Sequence, residues 1–182
     1  MTEFMELVRS RRSVRKFTGG KIERGHLEIC VEAARYAPSA CNVQPWKFVI
    51  VDDPQKTGSI VDSVFSGPYS MNAFARGAAA FIAIVSEKQG PAPRLGGILR
   101  KTDFRLIDIG MACEHLALQA RELNIGTCIL GWFDEKKLKK ILSVPFFRKI
   151  ELVIALGYPA SDTEYRERPL KDRREVVAFN EY

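Results

Sequence analysis

Between residues 102 and 124 the chain sets Phe104, Leu106, Ile107, Ile109, Met111, Leu116, Leu118 and Leu123 on most faces of a helix-length run. A helix that is apolar nearly all round has no face to offer to water, so the pattern predicts a central helix with other elements packed around it. Gly110 and Ala112 allow another helix to approach closely, within the chain or across a subunit interface. His115, in these surroundings, reads as a packed or hydrogen-bonded histidine before it reads as a catalyst. A chain of 182 residues is large enough for one domain with a substantial core, and residues 1–182 are taken as that single unit.

The flanking segments switch between helical and strand periods. Phe4, Leu7 and Val8 give one apolar helical face, which runs into a basic stretch and then the break Thr18-Gly19-Gly20. Residues 23–37 read as a second helix, ended by Pro38, which disfavours helical backbone at Ala37. Residues 47–51, 78–85, 125–132 and 149–156 read as strands, the second of them buried on both faces. A helix with Ile60, Val61, Val64 and Phe65 inward follows Pro54, and Asp134 leads another. Residues 89–94, with two prolines, read as a loop, and the polar tail 160–182 carries one short β-like run over 175–179. Such a tail buries little by itself and is expected to dock on another subunit.

Composition removes several function classes. The longest plainly apolar stretch, 78–85, is far below the about 20 residues of a membrane span. The acidic start Met1-Thr2-Glu3-Phe4-Met5-Glu6 lacks the basic lead of a secretory signal, which points to the cytoplasm. Four scattered cysteines and two histidines show no zinc-ligand spacing, so no metal ligands are assigned. Cys30, Cys113 and Cys128 lie in apolar or small-residue settings that suit buried thiols, whereas Cys41 sits in a polar loop. The net charge of +6 is concentrated at residues 9–16, 94–105 and 166–174, without any nucleic-acid-binding motif. Two readings of it stand, pockets for phosphorylated small molecules and a nucleic-acid surface, of which the second predicts steeply salt-dependent binding.

Two segments carry candidate chemistry. Arg11-Arg12-Ser13-Val14-Arg15-Lys16-Phe17 offers several guanidinium groups and a hydroxyl within a short span, and guanidinium forks match phosphate oxygens and heterocycle carbonyls. The bland alternative is a solvated basic helix end that complements the macrodipole. Ala37-Pro38-Ser39-Ala40-Cys41-Asn42-Val43-Gln44-Pro45-Trp46 places three hydrogen-bonding side chains between a helix and a strand, with Trp46 as a core anchor. An Asx-type turn bonding its own backbone is the competing reading. Gly131, at a strand end, either lets backbone approach a flat ligand or simply ends the strand. No dinucleotide fingerprint, P-loop or nucleophile elbow is present, so any bound phosphate must be held by arginines.

The order and spacing of these pieces, with Gly126-Thr127-Cys128-Ile129-Leu130-Gly131 and Arg166-Glu167-Arg168-Pro169-Leu170 later in the chain, resemble the nitroreductase family of FMN-dependent oxidoreductases over nearly the whole chain. The resemblance implies an α+β fold, with a central mainly antiparallel sheet flanked by helices (an α-β-α arrangement) in an intertwined homodimer. It places the 160–182 extension on the partner's sheet and FMN at the subunit interface. By this resemblance Arg11, Arg12 and Ser13 hold the FMN phosphate and ribityl chain together with Arg166 and Arg168, and Arg15 faces the pyrimidine edge. Pro38, Ser39, Ala40, Asn42 and Gln44 reach the flavin from the other subunit, and the backbone of Leu130, Gly131 and Trp132 lies by its N5 and O4. Asn72 and Arg76 are further candidates in a segment that matches the family poorly, and Trp132 departs from the glycine that many members carry after Gly131.

What the resemblance implies for chemistry is a ping-pong cycle. NAD(P)H gives a hydride to flavin N5, leaves, and is replaced by a nitroaromatic, quinone or similar small acceptor, with no catalytic side chain required. A reductive dehalogenase or other flavin enzyme of the same fold is the alternative, and a non-enzymatic flavin-binding or redox-sensing protein is a third. Small-molecule acceptors, a homodimer partner, and neither nucleic acid nor membrane complete the expectation.

Overall fold

A computed structural model describes residues 1–88, 90–161 and 168–182. The four strand-patterned segments become β1 (Trp46–Val51), β2 (Ala80–Ser86), β3 (Gly126–Leu130) and β4 (Lys149–Gly157), paired antiparallel in the order β1-β2-β4-β3. β2 is buried at every position, as a strand covered on both faces must be. Its alternation then sorts the molecule into three layers. Ala80, Ile82 and Ile84 face one core with Leu27, Cys30 and Ala34 of α2 (Arg24–Arg35) and Ile109, Ala112, Cys113 and Leu116 of the long helix α5 (Phe104–Glu122). Phe81, Ala83 and Val85 face a second core with Ile60, Val61, Val64, Phe65 and Leu138.

The helix expected after Pro54 is a regular segment α3 (Pro54–Ser59), capped by Asp53, that widens into one π-helical stretch over Ile60–Val64. Residues Gly67–Gly77 follow as an irregular 3₁₀ stretch, α6 (Glu135–Leu142) begins after Asp134 as expected, and α1 (Glu3–Ser10) opens the chain. Trp46 is buried and anchors the start of β1 in the first core.

Three expectations change. The loop placed at 89–94 gives way to α4 (Pro91–Arg100), because Pro91 and Pro93 occupy a first turn whose N–H groups need no helical partner. The β-like run at 175–179 lies instead across α7 (Arg173–Val176) and irregular backbone, since Asp172 and Glu175 close a capping box. The central helix is central on one side only: α5 buries Asp108, Ile109, Ala112, Cys113, Leu116, Ala117 and Ala120, while Leu106 and Ile107 are each 49% exposed. Among the described residues no helix is long and apolar enough to cross a membrane.

Candidate functional site

After α1 the chain extends and crosses the ends of β3 and β4. Val14 N–H donates to the Thr127 carbonyl at 2.8 Å and Thr18 N–H to that of Tyr158 at 2.9 Å. Ser13 thereby bridges Thr127 and Phe17 bridges Pro159. This close crossing is possible because Gly126 and Gly157, paired across β3 and β4, have no side chains. A Cβ at Gly126 would lie 2.7 Å from Val14 Cγ2, and one at Gly157 would lie 2.7 Å from Phe17 Cδ1. The two glycines therefore fix where the 11–17 arm can lie.

At the start of that arm Arg11 and Arg12 line a small pocket of about 100 Å³ with Ser10, Gly126, Thr127, Pro159 and Arg121 of α5. Arg11 donates through Nε to Glu114 Oε1 at 3.0 Å, and Arg121 through Nε to Ser10 Oγ at 3.0 Å. From the other end of the chain, Arg168 Nη2 donates to the Arg11 carbonyl at 3.4 Å. Four guanidinium-bearing residues thus meet, with Arg121 added to the two clusters that the resemblance brings to one phosphate. Arg166 lies outside the described residues.

Further along the arm Arg15 is exposed, with its guanidinium carbon 5.9 Å from the centroid of the Phe74 ring. It is also close enough to Cys128 to oppose the upward pull of burial on that thiol. β3 leads from there to Leu130, which is buried, and then to the exposed pair Gly131 and Trp132. Asn72, 7% exposed, donates through Nδ2 to the Trp132 carbonyl at 2.6 Å. The indole N–H of Trp132 donates to the Pro68 carbonyl at 3.0 Å, and Tyr69 stacks at 5.3 Å in a tilted pair. The poorly matching segment therefore does reach this end of the sheet, through Asn72. Arg76 does not: it pairs with Asp62 at 2.9 Å.

The 38–44 loop is held elsewhere. Cys41, Asn42 and Gln44 all take left-handed backbone without being glycine, at a cost of about 1–3 kcal/mol each. Two contacts offset that strain. The Ser39 hydroxyl accepts the Gln44 N–H at 3.0 Å, and both oxygens of Asp108 on α5 accept the Ala40 N–H at 3.2 Å. Gln44 Nε2 donates to the Asn42 carbonyl and to Asn42 Oδ1 at 3.3 and 3.2 Å. The self-bonded turn accordingly describes Ser39 and Gln44 well. Pro38, Asn42 and Gln44 are nevertheless exposed, and Ser39 and Ala40 half-buried, on a loop that packs on α4 and α5.

The donor set fits an anionic, flat, polar-edged cofactor such as FMN: guanidinium groups at one end and an exposed cation and strand-end backbone at the other. The residues that sequence reasoning missed are Arg121, Glu114 and Asp108. Glu114 and Arg121 stand seven residues apart, two turns along one face of α5, a polar seam in a helix read only for its apolar content. Burial raises the Asp108 carboxyl above its ordinary range, against the opposing effect of the Ala40 N–H.

The pattern that defines the nitroreductase family matches residues 8–158. A protein of Archaeoglobus fulgidus provisionally named NADH dehydrogenase/NAD(P)H nitroreductase is 29% identical over 171 residues, covering 92% of this chain and 91% of that protein. An iodotyrosine deiodinase of Thermotoga neapolitana is 24% identical, with 97% of each chain covered. Among solved structures, an FMN-dependent nitroreductase from Clostridium difficile R20291 is 25% identical and superposes with a TM-score of 0.76, covering 98% of this chain and 99% of its own.

Proposed function

The chain belongs to the nitroreductase family of FMN-dependent, NAD(P)H-using oxidoreductases, and we propose that it passes electrons from NAD(P)H to nitroaromatic, quinone or similar small acceptors in a ping-pong cycle. The observation that carries this reading is the convergence of Arg11, Arg12, Arg121 and Arg168 beside a strand end, in a fold with no glycine-rich phosphate loop.

FMN, when bound, supplies the two-electron chemistry that no side chain of the site could perform. The protein's part is to bind and to orient. Arg11, Arg12 and Ser13 grip the phosphate and ribityl chain, with Arg166 and Arg168 closing from the C-terminal side. Arg15 places a fixed positive charge by the pyrimidine edge, which favours the anionic reduced form. The Asn72 bond to the Trp132 carbonyl holds the 130–132 backbone at the strand end, so that Leu130, Gly131 and Trp132 present main chain rather than side chain to the redox-active edge. No proton donor is assigned.

Completion of the site requires a second copy of the chain. The 38–44 loop is tied to α5 through Asp108, not to the arginine arm, so Pro38, Ser39, Ala40, Asn42 and Gln44 serve the partner's flavin. The apolar outer face of α5 supports such a pairing, as does a tail whose Leu170, Val176 and Phe179 are 79%, 63% and 78% exposed. In this homodimer the 160–182 extension docks on the neighbouring subunit.

Anaerobic addition of NADH or NADPH to the purified yellow protein should bleach the flavin bands, and a nitroaromatic should restore them. Failure to bleach would favour a flavin-binding or sensing role. A reductive dehalogenase is the second reading, supported by the deiodinase relative, and turnover of halogenated phenols against nitroaromatics separates the two.

A further inference from the structure

A large cleft lies away from the arginine arm. It is open, about 730 Å³, and is walled by the C-terminal end of α4, the start of α5 and the residue Lys88 after β2. Its lining includes four cations, Lys88, Arg94, Lys101 and Arg105, and one carboxylate, Asp103. Arg105 spends its guanidinium on Asp103, through Nε at 3.0 Å and Nη2 at 2.7 Å. Among the described residues Lys88, Arg94 and Lys101 have no carboxylate within ion-pair distance.

Helix stability does not explain the placement of Lys88 and Arg94, whereas Lys101 at the C-terminal end complements the macrodipole. Arg94 stands in the first turn of α4 and Lys88 just ahead of it, at the helix end where the macrodipole disfavours cations, and that turn holds no acid. Lys101 ends the helix at a left-handed φ of 53°, a position that suits glycine or asparagine. Its backbone is locked there: Lys101 N–H donates to the Ile98 carbonyl at 3.3 Å and Thr102 N–H to that of Gly97 at 2.9 Å. Arg94 and Lys101 both line the cleft. The cleft also adjoins the proposed flavin loop, because Asp108, one turn beyond Asp103–Arg105 on α5, holds Ala40, and a Cβ on Gly90 at the head of α4 would touch Val43 at 3.3 Å.

We propose that this cleft is a subsite for a phosphomonoester dianion carried by a molecule that reacts at the flavin. The inference rests on the flavin-enzyme reading above. Three unpaired cations on a concave wall match a doubly charged, multi-acceptor group better than a single carboxylate. Among the described residues the lining has no aromatic side chain on which a nucleobase could stack, so the charge and not the base is what the cleft reads. Two sources carry such a group: the 2′-phosphate that distinguishes NADPH from NADH, and a phosphorylated acceptor.

Calorimetric titration of the FMN-loaded protein with NADP+ and with NAD+ tests the first source, because the two differ only in the 2′-phosphate and NAD+ carries no phosphomonoester. The expected result is at least about tenfold tighter binding of NADP+ than of NAD+, a margin that shrinks at high salt and is lost in the Arg94→Ala/Lys101→Ala variant. Bleaching by NADH should be unchanged in that variant. For the second source, 4-nitrophenyl phosphate should show a lower KM than 4-nitrophenol, again only with the cleft intact. A margin in either arm, lost in the variant, supports the subsite and names its source. Absence of a margin in both arms, or equal losses for phosphorylated and unphosphorylated ligands, overturns it. A protein that takes up no FMN yet binds NADP+ more tightly than NAD+ would overturn the flavin reading and leave only the phosphate-binding role of the cleft standing.

Discussion

Both carboxylate oxygens of Asp108 lie 3.2 Å from the Ala40 amide nitrogen, so a buried acid on α5 holds in place a loop with three left-handed non-glycine residues. Replacing Asp108 with Ala leaves that N–H without its acceptor and should cost about 1–3 kcal/mol in chemical denaturation. Asp108→Asn keeps an acceptor and should cost less. Equal stability of Asp108→Ala and the parent would show that the loop holds itself.

The same acid sets a pH dependence. Burial holds the folded-state pKa of Asp108 above its ordinary value of 3.8. Between those two values the folded protein binds more protons than the unfolded chain. Its contribution to stability is therefore greatest below the ordinary value, declines as pH rises through the raised one, and is flat above it. Denaturation midpoints of parent and Asp108→Asn, followed upward from acid pH, should differ in slope across that window.

Gly126→Ala and Gly157→Ala test the crossing of the 11–17 arm. Either new methyl meets Val14 or Phe17 at 2.7 Å, an overpacking that costs roughly 1–3 kcal/mol and moves the arm. Both variants should melt lower and retain less flavin. Thermal scans together with flavin absorbance on the same samples check this.

Gly110 tests the subunit pairing. Nothing lies within 4 Å of a Cβ placed there, and the position is exposed. Gly110→Leu should thus favour the isolated helix, by about 0.5–1 kcal/mol in propensity, while obstructing a second copy packed on α5. Sedimentation should find a dimer for the parent and a monomer for the variant. A variant as dimeric as the parent would place the interface elsewhere.

The layers of this fold were legible in the sequence because strands such as β2 carry an unbroken apolar run and the helices a clear apolar face. α4 was hidden by its two prolines, which suit a first helical turn as well as a loop. The arginine cluster of the candidate site was legible at Arg11 and Arg12, where charge density is local. It was not legible at Arg121, Glu114 or Asp108, because their roles depend on which face of α5 meets the arm and the 38–44 loop, and an apolar pattern conceals that choice. Asn72 could be named but not placed, since an irregular 3₁₀ stretch has no period from which to infer direction.

FMN affinity of the parent and of Arg11→Ala, measured by flavin fluorescence during titration into the stripped protein, addresses the central claim most directly. A charge-assisted phosphate contact contributes about 1.5–3 kcal/mol, so the variant should bind FMN roughly 10- to 150-fold more weakly. Equal affinity in the two proteins, or no binding by the parent, would contradict the assignment of the arginine cluster to the flavin phosphate.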